Sequence, residues 1–419
     1  MWIKNRERLA TSPERTVVLD VVNAAFDAID TEQIVQKEIT VKNGLLSVRD
    51  QDFDLKNFDH VYIMAIGKGA ARATTTLHAI LEPHITHAIV LDKVPLIYDG
   101  IESYQGTHPI PSHMNLRASS SIYELAKRLG ERDLALVVVC GGGSALACWP
   151  ESECEQGVRL YKSFLHSGGD IDELNVIRKH ISLLKGGGLA KALYPATVIG
   201  LIFSDVPDDI SEVASGPTYL DKTTVENALA MLRKLRIKEE FELNETPKEK
   251  KYFEKVSNIE MISNRLAIQA MFQKANELGI RTATPFDPVY EYASETLRRL
   301  RNGLDNAQLV IAGGEIRMDI KGEGGHGGRC QYLGLEAILS LPENMMLVAF
   351  ASDGEDNSDV CGVIVDHETK KRATATGIDI RKQLEAYESY SIFEKTGDQI
   401  ITGQTGANVS DIYMLYKLS

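Results

Sequence analysis

The feature that most constrains this chain is a set of short, almost unbroken apolar runs that end in glycine or aspartate. They are VYIMAIG (61–67), HAIVLD (87–92), LALVVVCG (134–141) and TVIGLIFSD (197–205). A strand with one wet face alternates apolar and polar residues. A run that is Val, Ile, Leu and Ala throughout needs cover on both faces, which a parallel sheet between two helix layers provides. Amphipathic stretches at 70–81 and 115–130 separate the runs, and helices are expected at about 153–166 and 171–192. The first half is therefore expected to be a Rossmann-like, doubly wound α/β/α layer. Ser12 as cap and Pro13 at the first helical position start a helix that should end near Asp30.

Between about 222 and 258 the pattern changes to RKLRIKEEFELNETPKEKKYFEK, which contains no strand-like run. This reads as a solvated surface or as a lid or linker. The domain boundary is placed at its end, giving domains 1–258 and 259–419. A second α/β alternation follows, with EMIS, a helix over LAIQAMFQKANELGI, a helix near 291–302, strands at 307–314 and at MDIKG, and a helix near 329–341. Strands at 346–353 and VCGVIVD, a helix around 373–388, and strands at IITG and DIYMLY complete it. With 419 residues, 43% of them hydrophobic, two such cores are affordable.

Lys and Arg number 46 against 59 Asp and Glu, a net charge of −13, so the overall field repels a nucleic-acid backbone. A small anionic ligand must then be caught by a local cluster of cations near the glycine loops. The five cysteines show no CxxC spacing, so neither a disulfide framework nor a zinc ribbon is expected. The polar N-terminus and the lack of any run of about 18 apolar residues argue against secretion and membrane spanning and for the cytoplasm.

The glycines fall directly after predicted strands, at the sheet edge where open α/β folds bind ligands. In AIGKGAARA, Gly67, Lys68 and Gly69 stand where a helix begins, so backbone amides and an ammonium converge, unless this is a plain turn with an exposed lysine. In VVVCGGGSAL, Gly141, Gly142 and Gly143 carry an entropic cost that close approach of an anion to bare backbone would explain. Ser144 loosely suggests a nucleophile elbow, although GxSxG is absent. Asp205, with Asp208 and Asp209 beyond it, offers carboxylates for Mg²⁺ or for a general base, or merely caps nearby backbone. Arg178, Lys179 and Lys185 supply charge to a phosphate or belong to a solvated helix face, and His180 reads as structural. In the stretch from Gly313 to Gly334, Arg329 opens a helix where its guanidinium can bridge carboxylate or phosphate oxygens. His326 has no second metal ligand at suitable spacing. Asp353, Asp356 and Asp359 follow another buried strand without calcium-loop spacing.

Taken in order, AIGKGA, GTHPIP, CGGGSAL, LNVIRKHISLLKGGGLA, SDV…ASGPT, IAGGE, GGRCQ, SDGEDNSD and TGQTGANVSD resemble the glycerate 2-kinase family that carries a C-terminal MOFRL domain. The resemblance implies a Rossmann-like N-terminal domain, a second, MOFRL-type α/β domain, and an active site in the cleft joining them. It makes Lys68 and Arg329 the leading catalytic cations. It makes Gly67, Gly69, Gly141, Gly142, Gly143, Ser144, Gly313, Gly314 and Glu315 nucleotide contacts, and Asp205, Glu315 and Asp353 acids for metal or proton handling. Where that family usually reads GGRNQE, this chain has Cys330 and Tyr332 in place of the amide and the carboxylate.

The expected reaction is transfer of the γ-phosphoryl of Mg-ATP to the 2-hydroxyl of D-glycerate or a close relative. ATP and Mg²⁺ are the expected cofactors, and a homodimer is compatible with the sequence. Two rivals are an NAD(P)-dependent hydroxypyruvate reductase, disfavoured because GKGAARA lacks the third glycine of GxGxxG, and a non-catalytic metabolite-binding homologue.

Overall fold

The computed structural model describes residues 1–418 apart from 166, 206–208, 285–286, 321 and 323. It separates into two compact units, Thr31–Met261 and Met1–Asp30 with Ile262–Ser419. The fold is mixed α/β, with a six-stranded sheet in each unit.

In the unit spanning 31–261, the strands are β1 (His60–Ile66), β2 (Ile85–Asp92), β3 (Ile101–Gln105), β4 (Asp133–Cys140), β5 (Thr197–Phe203) and β6 (Val256–Ile262). Their spatial order is β3-β2-β1-β4-β5-β6. The ladders β1–β2, β2–β3, β1–β4 and β4–β5 are all parallel. This is the doubly wound order, and its direction of winding reverses between β1 and β4, where such sheets form their ligand crevice. All eight residues of β4 are buried, as the unbroken apolar run requires. Each Val or Leu withdrawn from water in this way contributes roughly 1.5–3 kcal/mol. Stability is thus carried by the strands, and the loops at their carboxyl ends can be glycine-rich. A three-stranded antiparallel sheet over residues 39–54 is also present; its strands have only four residues each, too short to register as periodic runs.

The other unit carries β7 (Thr282–Ala283), β8 (Leu309–Gly314), β9 (Met345–Ala351), β10 (Gly362–Val365), β11 (Gln399–Ile400) and β12 (Asp411–Lys417), in the order β7-β8-β12-β9-β10-β11. Apart from the parallel pair β7–β8, its ladders are antiparallel. The expected strand at MDIKG is not formed: the described residues there, 318–320 and 322, are irregular. The expected helix at 373–388 is two helices, His367–Ala375 and Ile380–Glu385, divided at Gly377 with its positive φ. The expected helix at 171–192 is likewise divided, into Ile171–His180 and Gly188–Leu193, because Gly186 and Gly187 take left-handed backbone.

The expected boundary after residue 258 lies close to the structural one after Met261, but residues 1–30 belong with the later unit. Helix Pro13–Ala28, capped by Ser12 as its sequence indicates, packs on helix Asn264–Glu277. Phe26 lies against Phe350 of β9. Arg15, almost fully buried, donates to Asp366 (2.7 Å), Asp398 (2.9 Å) and Thr369 (2.9 Å). A sequence read by local pattern cannot show contacts across more than 350 residues. Arg15→Ala leaves Asp366 buried without its cation and is expected to destabilise this unit by about 3 kcal/mol, measured by denaturant unfolding.

Candidate active site

Register brings the sequence-nominated residues of the first unit together. Ile66 pairs with Val139 and Cys140 with Phe203, so Gly67 lies beside Cys140, and Gly141 beside Ser204 and Asp205. The amide of Lys68 donates to the carbonyl of Gly141 at 2.9 Å. The glycines permit this approach. A Cβ on Gly67 would collide with the Cys140 carbonyl, one on Gly141 with the Asp205 carboxylate, and one on Gly143 with the Ala214 side chain. Gly142 has φ +74, and a Cβ there would sit 3.0 Å from Cε of Lys68. Lys68, Gly141–Gly143 and Asp205 therefore surround the reversal point. Asp208 lies outside the described residues.

One sequence reading is corrected here, and a weak alternative is dropped. The helix after β1 was expected to offer its first amides to an anion, yet Asp92 at the end of β2 occupies them: its carboxylate accepts from Ala71 at 2.9 Å and from Gly69. Gly69 is thus committed to an internal carboxylate. Burial pushes Asp92 up, opposed by these amides and by those of Lys93 and Val94. Ser144 has no histidine partner among the described residues; its hydroxyl meets Ser215 at 2.8 Å, which donates to Asn175 at 3.2 Å. A nucleophile elbow is not built.

The loop carrying GTHPIP is tied to the same place. Asn115, fully buried, accepts from the amide of Thr107 at 2.9 Å and donates to the Leu146 carbonyl at 2.8 Å, directly after the Gly141–Ser144 turn. Lys185 and Glu153 form a buried ion pair, and Lys185 also donates to Ala147 at 2.7 Å. Lys179 pairs with Glu212 and Asp221, also out of water. Two of the three cations read as either phosphate ligands or a solvated face are neither. His180 is structural, bonded to Asn244 and Thr223. The expectation that no disulfide forms is also corrected: Cys148 and Cys154 are bridged, their six-residue separation having hidden the pair.

In the second unit, Arg329 begins the helix Arg329–Ser340. Its guanidinium contacts Asp411 at 3.0 Å and Glu315 at 2.9 Å. Burial acts to lower the pKa of Arg329, but Asp411 and Glu315 hold it above its ordinary value. Asp356, noted in the sequence only as an acid after a buried strand, caps the helix by accepting from Cys330 (3.1 Å) and Gln331 (2.8 Å). Cys330 is buried, and Tyr332 stacks on Tyr387, so the two residues that depart from GGRNQE are packing groups. A cavity of about 510 Å³ is lined by Glu315, Arg329, Asp353, Asp356 and Asp411 among others. It is acidic around one cation. His326 stacks on Tyr390 and ligates nothing described. Gly313 and Gly314, expected at a nucleotide, are needed for packing: a Cβ would strike Asn264 at the first and the Val289 backbone at the second.

Magnesium binds through one or two carboxylates plus phosphate oxygens and water, not in an all-protein cage. Among the described residues no three His, Cys, Asp or Glu side chains group closely enough for a cage. Glu315 and Asp353, which line the same cavity, fit the first arrangement.

A doubly wound sheet with glycine loops and a lysine at its reversal point, followed by an arginine-centred acidic cavity, defines an α/β protein built to hold charged small molecules. Residues 17–245 match a domain of unknown function (DUF4147), and residues 308–411 match the MOFRL family. The chain is 29% identical to a glycerate 2-kinase of Pyrococcus horikoshii, covering 95% of this chain and 96% of that one. It is 31% identical to a putative hydroxypyruvate reductase of Agrobacterium vitis, covering 83% of each. The crystal structure of glycerate kinase from Thermotoga maritima superposes with a TM-score of 0.82 at 29% identity, covering 96% of this chain and 99% of that one. The chain belongs to the glycerate 2-kinase family that joins a DUF4147 domain to a MOFRL domain.

Asp411 supplies a pH prediction. Burial, with Asp356 and Glu315 nearby and despite Arg329, pushes its carboxyl up to about 7. Unfolded, it titrates near 4. Between those values the folded state holds the extra proton, so this group's contribution to stability falls as pH rises from about 4 through 7. Denaturant unfolding across that range should show a shallower pH-dependent fall in Asp411→Asn, which carries no charge at any pH.

Proposed function

We propose that the chain is a glycerate 2-kinase, a phosphotransferase that moves the γ-phosphoryl of Mg-ATP to the 2-hydroxyl of D-glycerate. What most supports this reading is the convergence of Lys68, the Gly141–Gly143 turn and Asp205 at the sheet's reversal point. Family membership adds to it, with the Pyrococcus horikoshii and Thermotoga maritima relatives named as glycerate kinases. In the reaction the 2-hydroxyl loses its proton to Asp205, its oxygen bonds to the γ-phosphorus, and the bond from that phosphorus to the bridging oxygen breaks to release ADP. Such transfers have loose transition states, so the protein's work is positioning and neutralising spread charge. Lys68 and Arg329 are assigned that neutralisation. Glu315 and Asp353 would hold Mg²⁺ on the nucleotide, where the ion masks phosphate charge in an otherwise acidic cavity.

A cytoplasmic location belongs to the same reading, and no helix among the described residues is long and apolar enough to cross a membrane. In a reducing cytoplasm Cys148 and Cys154 would be thiols. The Lys185 contact to Ala147 holds that segment without them.

The reductase named for one relative gives a second reading. It needs a dinucleotide at the β1 loop, whose helix amides Asp92 occupies. Two assays separate the readings: ADP formation with ATP and D-glycerate, and NADH or NADPH oxidation with hydroxypyruvate. Activity is expected in the first alone. Lys68→Ala and Arg329→Ala should each lower kcat on the order of 10²–10³-fold.

A further inference from the structure

Of the three cations grouped at 178–185, Lys179 and Lys185 are locked in buried ion pairs and Arg178 is not. Among the described residues, no hydrogen bond or ion pair holds its guanidinium, although it is partly buried. Burial lowers its pKa to about 10, opposed by the charges of Tyr161 and Glu153, neither of which bonds to it. A guanidinium partly withdrawn from water without a bonded counter-charge is costly, and a ligand anion would complete it.

Its location identifies the ligand's surroundings. Asn175, one turn earlier on helix Ile171–His180, reaches Ser144 through Ser215, which puts that helix against the Gly141–Ser144 turn. Residues three apart share a helix face, so Arg178 is on the face that carries Asn175. From the other side, Asn115 ties the 106–112 loop, and with it His108, to Leu146. Lys68 lies over Gly142 of the same turn. The pKa of His108 falls to about 4, through burial and the neighbouring charges of Lys68, Lys93 and Arg178. The imidazole is therefore a neutral hydrogen-bonding group in a strongly positive field. In a chain of net charge −13, this is a local cluster able to draw in a small anion.

We propose that the guanidinium of Arg178 takes the carboxylate of the acceptor acid and that His108 hydrogen-bonds one of its hydroxyls, leaving Lys68 to the transferring phosphoryl group. A planar fork matches a carboxylate through two parallel bonds, whereas a lysine offers a point charge suited to a phosphoryl oxygen. The neutral imidazole provides one donor and one acceptor, the complement of an alcohol. An acid lacking the hydroxyl would leave that imidazole unpaired, so the pair selects a hydroxy acid.

This assignment rests on the kinase reading, and the test keeps the two apart. KM and kcat are measured for D-glycerate and for ATP in the wild-type chain and in Arg178→Gln, Arg178→Lys, His108→Gln and His108→Ala, each checked for native circular dichroism. Arg178→Gln is expected to raise KM for D-glycerate by about 10- to 100-fold, the effect of losing a charged hydrogen bond, with KM for ATP within about twofold. Arg178→Lys should fall between it and the wild type, and it supplies the test if the glutamine variant does not fold. His108→Gln should retain more affinity for the acid than His108→Ala. A rise confined to KM for ATP, or an unchanged KM for D-glycerate, overturns the assignment while leaving the kinase standing. No D-glycerate-dependent ADP formation by the wild type would instead remove the kinase reading itself.

Discussion

The candidate site of the parallel sheet depends on neighbouring groups approaching bare glycine backbone more closely than a side chain there would allow. Gly67 sits on the Cys140 carbonyl, Gly141 on the Asp205 carboxylate and Gly143 on Ala214. Those contacts set Lys68 over the Gly142 turn and hold Asp205 beside it. A methyl group at either of the first two positions would open the end of the sheet where its winding reverses. The glycines therefore act first as spacers. The charged groups they admit give the place its chemistry.

That chemistry differs in sign between the two units. In the parallel-sheet unit, burial together with the charges of Lys68, Lys93 and Arg178 keeps His108 neutral, and Asp92 is engaged by backbone amides and Glu153 by Lys185. Arg329, by contrast, stands among Glu315, Asp353, Asp356 and Asp411 around one cavity. Under the proposed function, a bare carboxylic acid is assigned to the first environment and a nucleotide whose phosphates carry a divalent cation to the second.

Much of this was legible in the sequence. Unbroken apolar runs gave the parallel strands, and glycines after them gave the loops, because burial on both faces and close approach leave direct marks on composition. Lys68, Asp205, Glu315, Arg329 and Asp353 were all nominated, and the structure gathers the first two at one site and the last three at another. What escaped depends on distance along the chain. Arg15 meets its carboxylates some 350 residues away, so the first helix was assigned to the wrong unit. Asp92 and Asp356 look like ordinary strand-end or loop acids until the amides they accept are seen. Arg178, Lys179 and Lys185 are all cations of one glycine-rich stretch, and the sequence does not show which of them are paired; their partners, or the lack of one, separate them.

In the proposed reaction the phosphoryl group goes to the 2-hydroxyl of the acid. Incubating the chain with Mg-ATP and D-glycerate and identifying the product by phosphorus-31 NMR tests it most directly. The structure and its relatives predict 2-phosphoglycerate accumulating with ADP. Phosphate on the 3-hydroxyl, or no phosphorylated acid, would contradict it.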